Sequence, residues 1–254
     1  MKNNPTLSVQ ADSQSYLARI FSGCKKWELI YWWALRIPMI AAIFISAKRK
    51  DTQNVLQVCA NLFGMFSWEV MMAFPAKTFF RRMPSYFQNI SAAGFFLASF
   101  GGAFLNFYYV IPYYDSALHI FGAAEACWIG YEICTAMQKR DNKVCDVAIV
   151  TLCALGMSMI FSNGWELFEF TFDQFFGGDS QHWSLELAMQ AGSGVENGIF
   201  AWADRPERFA LMDTMTDMVC NVVGSVAVYI FLRICPYNHK GKRDVNAMIA
   251  AQSK

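Results

Sequence analysis

Six stretches of this chain reach, or nearly reach, the roughly 20 apolar residues that a helix needs to cross a hydrocarbon core about 30 Å thick. They are 29–45, 55–74, 90–111, 116–137, 144–172 and 212–232. That repetition dictates the fold class. In lipid every backbone N–H and C=O must find its partner inside the protein, so apolar runs of this length become helices. The expected architecture is an all-α polytopic membrane bundle of about six transmembrane helices over 29–235. The first stretch is short and carries Arg36 and Pro38, while the fifth is long enough to tilt or to project from the bilayer. Composition agrees: 55% of the 254 residues are hydrophobic and only 16% charged, against about 25% charged in an average soluble domain. A net charge of +1 and the lack of any nucleic-acid motif exclude a nucleic-acid partner, leaving the lipid bilayer.

The flanks follow the same physics. Residues 1–28 read as a cytoplasmic tail followed by an interfacial amphipathic helix. In that helix Tyr16, Leu17, Ile20, Phe21 and Cys24 recur at helical spacing beside Arg19, Lys25 and Lys26. No cleavable apolar core precedes it, so no signal peptide is expected. Lysine and arginine set the orientation. Fifteen of the 21 fall on one side: Lys2, Arg19, Lys25 and Lys26, the 77–82 and 139–143 connections, and the tail from Arg233. Five lie on the other, including the awkward run Lys48-Arg49-Lys50. Both termini are therefore expected in the cytoplasm, with 236–254 a second tail, as in a multi-pass protein of the plasma membrane. The outer loop, 174–210, is too long for a mere connector. Within it Asp204-Arg205-Pro206-Glu207 reads as a capping box that starts the last helix near Arg205. The eight cysteines form no C-x-x-C pair and read as reduced packing residues. His182 and His239 read as surface residues.

Ionisable side chains within spans are costly, and each is a functional hypothesis by default. The fourth span opens on Asp115 and His119, the fifth ends Glu166, Glu169, Asp173, and the sixth begins Asp213, Thr214, Asp217, with Asn221 one turn on. Residues three or four apart share a helix face, so each helix carries an acid-rich face. The fourth and sixth spans enter from outside and the fifth leaves toward it. At 1.5 Å per residue, His119, Glu169 and Asp217 each lie roughly 6 Å below Asp115, Asp173 and Asp213. Three acid-rich faces thus stand at one depth in the outer half. So many carboxylates cannot all stay ionised in a low-dielectric interior unless a cation or protons join them. One His among several carboxylates suits a divalent metal such as Zn, Mn, Fe or Mg.

The expected metal ligands are His119, Glu166, Glu169, Asp213 and Asp217, with Asp115, Glu125, Asp173, Thr214 and Asn221 supporting. Blander roles stand beside these: Asp115 as a helix cap, Asp173 and Asp213 as solvated acids. Glu69 and Glu132, with Glu125 between them, mark a candidate transport path across the membrane.

The combination Asp115-x-x-x-His119, Trp165-Glu166-x-x-Glu169-x-x-x-Asp173 and Asp213-Thr214-x-x-Asp217-x-x-x-Asn221-x-x-Gly224 resembles the YjdF-like family of bacterial integral membrane proteins. The resemblance covers about residues 110–230. It implies a polytopic protein of the bacterial inner membrane and brings no substrate or reaction. Function is then read from the site. A bound metal and a base among Glu166, Glu169 and Asp217 suit attack on a lipid-derived or envelope substrate. The same carboxylates suit a proton- or cation-coupled transporter or channel, although no internal repeat supports a transporter. A structural or signalling protein with a hydrogen-bonded polar core is the third class.

Overall fold

The computed structural model describes residues 14–181, 183 and 208–235. Among these, every regular element is helical. The first thirteen residues, most of the 174–210 loop with its capping box and His182, and the 236–254 tail with His239 lie outside the described residues.

Helix α1 (Tyr16–Ser22) is capped by the Ser15 hydroxyl, which accepts from the Ala18 amide at 3.3 Å. It is amphipathic as its spacing predicts, with Ile20 buried and Leu17 and Phe21 facing outward. Helix α2 (Lys26–Lys48) buries Glu28, Trp32, Arg36, Met39, Ala42 and Ser46, a stripe at three- and four-residue intervals. Its opposite face shows Ile30, Trp33, Ile37 and Phe44 to the surroundings. Polar groups inside and aliphatic and aromatic groups outside is the arrangement lipid demands.

Helices α3 (Thr52–Gly64) and α4 (Ser67–Ala73) meet at a 48° bend. A break inside an apolar region frees backbone groups that must be re-bonded, and two side chains do this. The Arg36 guanidinium and the Gln88 amide both donate to the Met65 carbonyl, while Gln88 Oε1 accepts from the Trp68 amide at 3.0 Å. Arg36 also forms a bidentate pair with Glu69, at 2.7 and 2.9 Å. The arginine inside the first apolar stretch thus holds the kink in the second.

A 3-10 turn (Phe79–Arg82) leads to α5 (Tyr86–Phe96), which runs into a π-helical segment (Leu97–Phe104) and then the short α6 (Phe107–Val110). The stretch expected as one span at 90–111 is therefore three pieces. Gly101 and Gly102 explain the geometry: a Cβ on Gly101 would lie 2.5 Å from the Tyr114 hydroxyl, and one on Gly102 would overlap the Tyr108 ring.

The remaining helices are α7 (Tyr114–Asp141), α8 (Val147–Phe176) and α9 (Phe209–Ile234), which pack mutually. Gly224 lets α9 approach α7 so closely that any Cβ there would strike the Ile120 carbonyl, and a Cβ on Gly130 would meet Ala154 of α8 at 3.0 Å. Ser158 on α8 donates to the Ala123 carbonyl of α7 at 2.7 Å and lies 2.6 Å from the Ser225 hydroxyl of α9. Small residues and buried hydroxyls thus lock the register of the three helices.

Among the described residues, α2, α8 and α9 are long and apolar enough to cross a membrane, and α3 with α4 makes a fourth if the bent pair is one span. At 28 residues α7 is long enough as well, but its acids keep it outside that class.

Candidate metal centre

The ends at which α7 and α9 begin and α8 finishes come together. Asp115 and His119 lie one turn apart at the start of α7, and Asp213 and Asp217 one turn apart at the start of α9. Glu166 and Glu169 lie on the last third of α8. His119 is at the centre. Its Nε2 is 3.6 Å from Asp115 Oδ1 and 3.6 Å from Asp217 Oδ2, and its Nδ1 is 3.7 Å from Glu166 Oε1. These separations are too long for good hydrogen bonds. They leave a gap between donor atoms rather than closing it.

Burial sharpens the point. Asp217 is 2% exposed, and His119, Glu166, Glu169 and Asp213 are also buried. Among the described residues, both carboxylate oxygens of Glu166 and Oδ2 of Asp217 accept no hydrogen bond, and the Asn221 amide nitrogen has no acceptor. Among the described residues no Lys or Arg pairs with Glu166, Glu169 or Asp217. Buried polar atoms are nearly always satisfied, so orphaned carboxylate oxygens aimed at one point call for a missing partner.

A divalent cation fits. One ligand atom from each of His119, Glu166, Glu169 and Asp217 lies within 4.8 Å of all the others, and so do ligand atoms from Asp115, Asp213 and Asp217. Ligands bonded to an ion at about 2.2 Å stand about 3.1–3.6 Å apart when adjacent and at most about 4.4 Å apart across it, so the cluster would draw inward on binding an ion. An imidazole with carboxylates is a donor set for Zn, Mn or Fe rather than for soft copper or iron–sulfur sites.

The other acids are placed differently. Asp173 accepts from the Ser180 and Gln181 amides, both at 2.8 Å, and so closes the turn after α8. Thr214 accepts from the Gln181 side chain at 3.0 Å. Asp115 lies inside the first turn of α7, whose N-cap is Tyr113, so its carboxylate is turned to His119 rather than capping the helix. Glu125 accepts from Ser91, Glu132 from Tyr86, and Glu69 from Arg36. Each of these three has its own side-chain donor.

Three features escaped the sequence. Trp165 donates from its indole to Glu169 Oε1 at 2.7 Å, orienting one expected ligand. Tyr108 and Tyr109 of α6 form walls beside the acids, and Asp51, Gln53, Asn54 and Gln57 at the start of α3 complete a polar cavity of about 560 Å³ that reaches Asp115 and Glu169. The Gly101-Gly102 pair that seats the tyrosines was a signal for Tyr108, but no spacing rule joins residues 51–57 to 115–169.

A family model described as predicted membrane protein, DUF2238, matches residues 30–238. The chain belongs to that family, for which YjdF-like is the corresponding name. No curated protein and no solved structure matches it.

Proposed function

We propose that this multi-pass membrane protein binds a divalent cation through His119, Glu166, Glu169 and Asp217, with Asp213 and Asp115 alongside, and uses it on a lipid-derived or envelope substrate. The observation that carries the reading is the convergence, from three helices, of an imidazole and carboxylates, among which both oxygens of Glu166 and one of Asp217 have no hydrogen-bond donor among the described residues. A bound Zn, Mn, Fe or Mg ion supplies Lewis acidity and lowers the acidity threshold of a water molecule. The protein's own residues do the rest. Trp165 holds Glu169 in place, the Ser158–Ser225 contact fixes α8 against α9, and the Glu166 carboxylate would accept a proton.

In the full reading the chain crosses the bacterial inner membrane about six times with both termini in the cytoplasm. The lysine and arginine bias supports that orientation, and it places the cluster in the outer leaflet. That Glu69, Glu125 and Glu132 each accept from a neighbouring side chain supports the metal site over a continuous transport path. Metal analysis of the purified protein after dialysis against trace Zn, Mn and Fe tests the reading. Wild type should retain near-stoichiometric metal, and His119→Ala and Glu169→Gln should retain at least tenfold less. Equal, trace retention by all three proteins defeats it.

A further inference from the structure

Two cavities of opposite character meet at the acid cluster. The first is the polar cavity of about 560 Å³, walled by Gln53, Asn54, Asn106 and Tyr109 and closed at its floor by Asp115 and Glu169. The second, of about 430 Å³, is lined largely by Phe87, Phe95, Phe121, Ile129 and Phe161, with Gly122 in its wall. It runs between α5 and α7 as far as α8, where the N-terminal helices meet the α7–α8–α9 bundle. Tyr108 and Asp115 line both cavities, and His119 lines the apolar one. Each volume lies within the range of about 300–1,000 Å³ typical of small-molecule sites.

The shared wall decides the occupant. A purely apolar ligand would leave the amides and carboxylates of the first cavity unused, and a purely polar one would leave an aromatic cleft facing acyl chains. One class of molecule matches both surfaces, and it is abundant where the cleft opens: Phe121 and Phe161 at its rim are exposed on the outer surface of the bundle. Glu125, a polar group in the wall away from the acid cluster, accepts from Ser91.

We infer that the substrate is a lipid-like amphiphile, its single apolar chain lying in the cleft between α5 and α7 and its polar head in the cavity beneath α3 and α6, so that the head–chain junction rests at Asp115 and His119. The inference rests on the metal reading for the chemistry at that junction, but the chain-binding cleft is testable separately. Burying a chain there removes apolar surface from the lipid–water boundary without gaining hydrophobic energy over the bilayer itself. Selectivity must therefore come from the head in the polar cavity, with the chain dictating orientation.

Gly122 offers a direct test. A Cβ added there meets no atom within 4 Å, so a larger side chain enters the cleft without backbone displacement. The probe is radiolabelled palmitoyl lysophosphatidylethanolamine, titrated onto the full-length protein in maltoside detergent, with metal content measured on the same samples. The proteins are wild type, Gly122→Trp, Gly122→Leu, and Gly164→Leu as a control at an equally open position outside the cleft. Saturable binding by wild type and Gly164→Leu is expected. Gly122→Trp should weaken it at least tenfold and Gly122→Leu by a smaller factor, with metal retention unchanged throughout. Glycerophosphoethanolamine, the head without its chain, should compete at least tenfold less well than the lysolipid. Unsaturable binding by wild type, or equal binding by Gly122→Trp with its metal retained, overturns the inference. Binding that follows the Gly122 series in protein holding no metal upholds the cleft and defeats the metal reading alone.

Discussion

The two halves of this molecule bury charge in opposite ways. In the N-terminal half, Arg36 is fully buried, yet its charge is answered within the protein by four hydrogen bonds: two to Glu69 and two to the Met65 carbonyl, with the Phe66 ring 4.0 Å from the guanidinium. Glu28 nearby accepts from the Lys25 amide, Ser85 and Asn89. In the C-terminal half, Glu166 and Asp217 are also buried, and around one imidazole they keep oxygens that have no donor among the described residues. A charge matched by the protein's own countercharge is architecture. A charge left for something else to match is a binding site held at a cost in stability.

That contrast can be broken most severely at the ion pair. Glu69→Ala strands a buried guanidinium and should destabilise the protein by about 3–5 kcal/mol, read as a lowered midpoint of denaturation in detergent, while the folded fraction keeps its metal. The double variant Arg36→Met/Glu69→Leu should recover only part of that loss, because the Met65 carbonyl also loses its Arg36 donors; full recovery would show that Gln88 alone holds the kink. Next in size is the response to metal. A ligand at 100 times its Kd stabilises by about 2.7 kcal/mol, so Zn or Mn should raise the melting temperature of wild type and leave His119→Ala unmoved. An equal rise in both would place the ion elsewhere. Trp165→Phe removes the bond to Glu169 without emptying the site and should weaken metal binding by about 10–100-fold, measured by competition with a chelator; unchanged affinity would make Trp165 a packing residue. The smallest effect is the most diagnostic. In metal-free protein Asp217→Asn should leave stability within about 0.5 kcal/mol of wild type or raise it, the reverse of what removing a structural acid does. A loss of 2 kcal/mol or more would put Asp217 with Glu69.

The convergence of the candidate residues was largely legible because helical spacing is rigid. Asp115 and His119, Glu166 and Glu169, and Asp213 and Asp217 share faces by arithmetic, and antiparallel neighbours bring such faces to a common depth. What arithmetic does not yield is azimuth. Whether an acid-rich face turns toward its neighbours or away depends on contacts such as Gly224 against Ile120 and Ser158 against Ser225, which no pattern within one helix reveals. Asp173 shows the limit: its spacing matches that of Glu169, but the turn after α8 takes its carboxylate. The stretches expected as single spans at 55–74 and 90–111 show another. Hydropathy measures only transfer to lipid, and the break at Met65 is tolerated because Arg36 and Gln88 re-bond its backbone.

The amino-acid sequence by itself determined that this is a helical membrane protein, because apolar length and backbone hydrogen bonding in lipid leave no other solution. It also determined which residues are too costly to be idle there. Only the tertiary structure decided which of those acids are answered from within and which converge unanswered, and that a polar and an apolar cavity meet where they do. The reason is that a charge's role in low dielectric depends on the partner within a few ångströms, and for Glu69 that partner is 33 positions away in the chain.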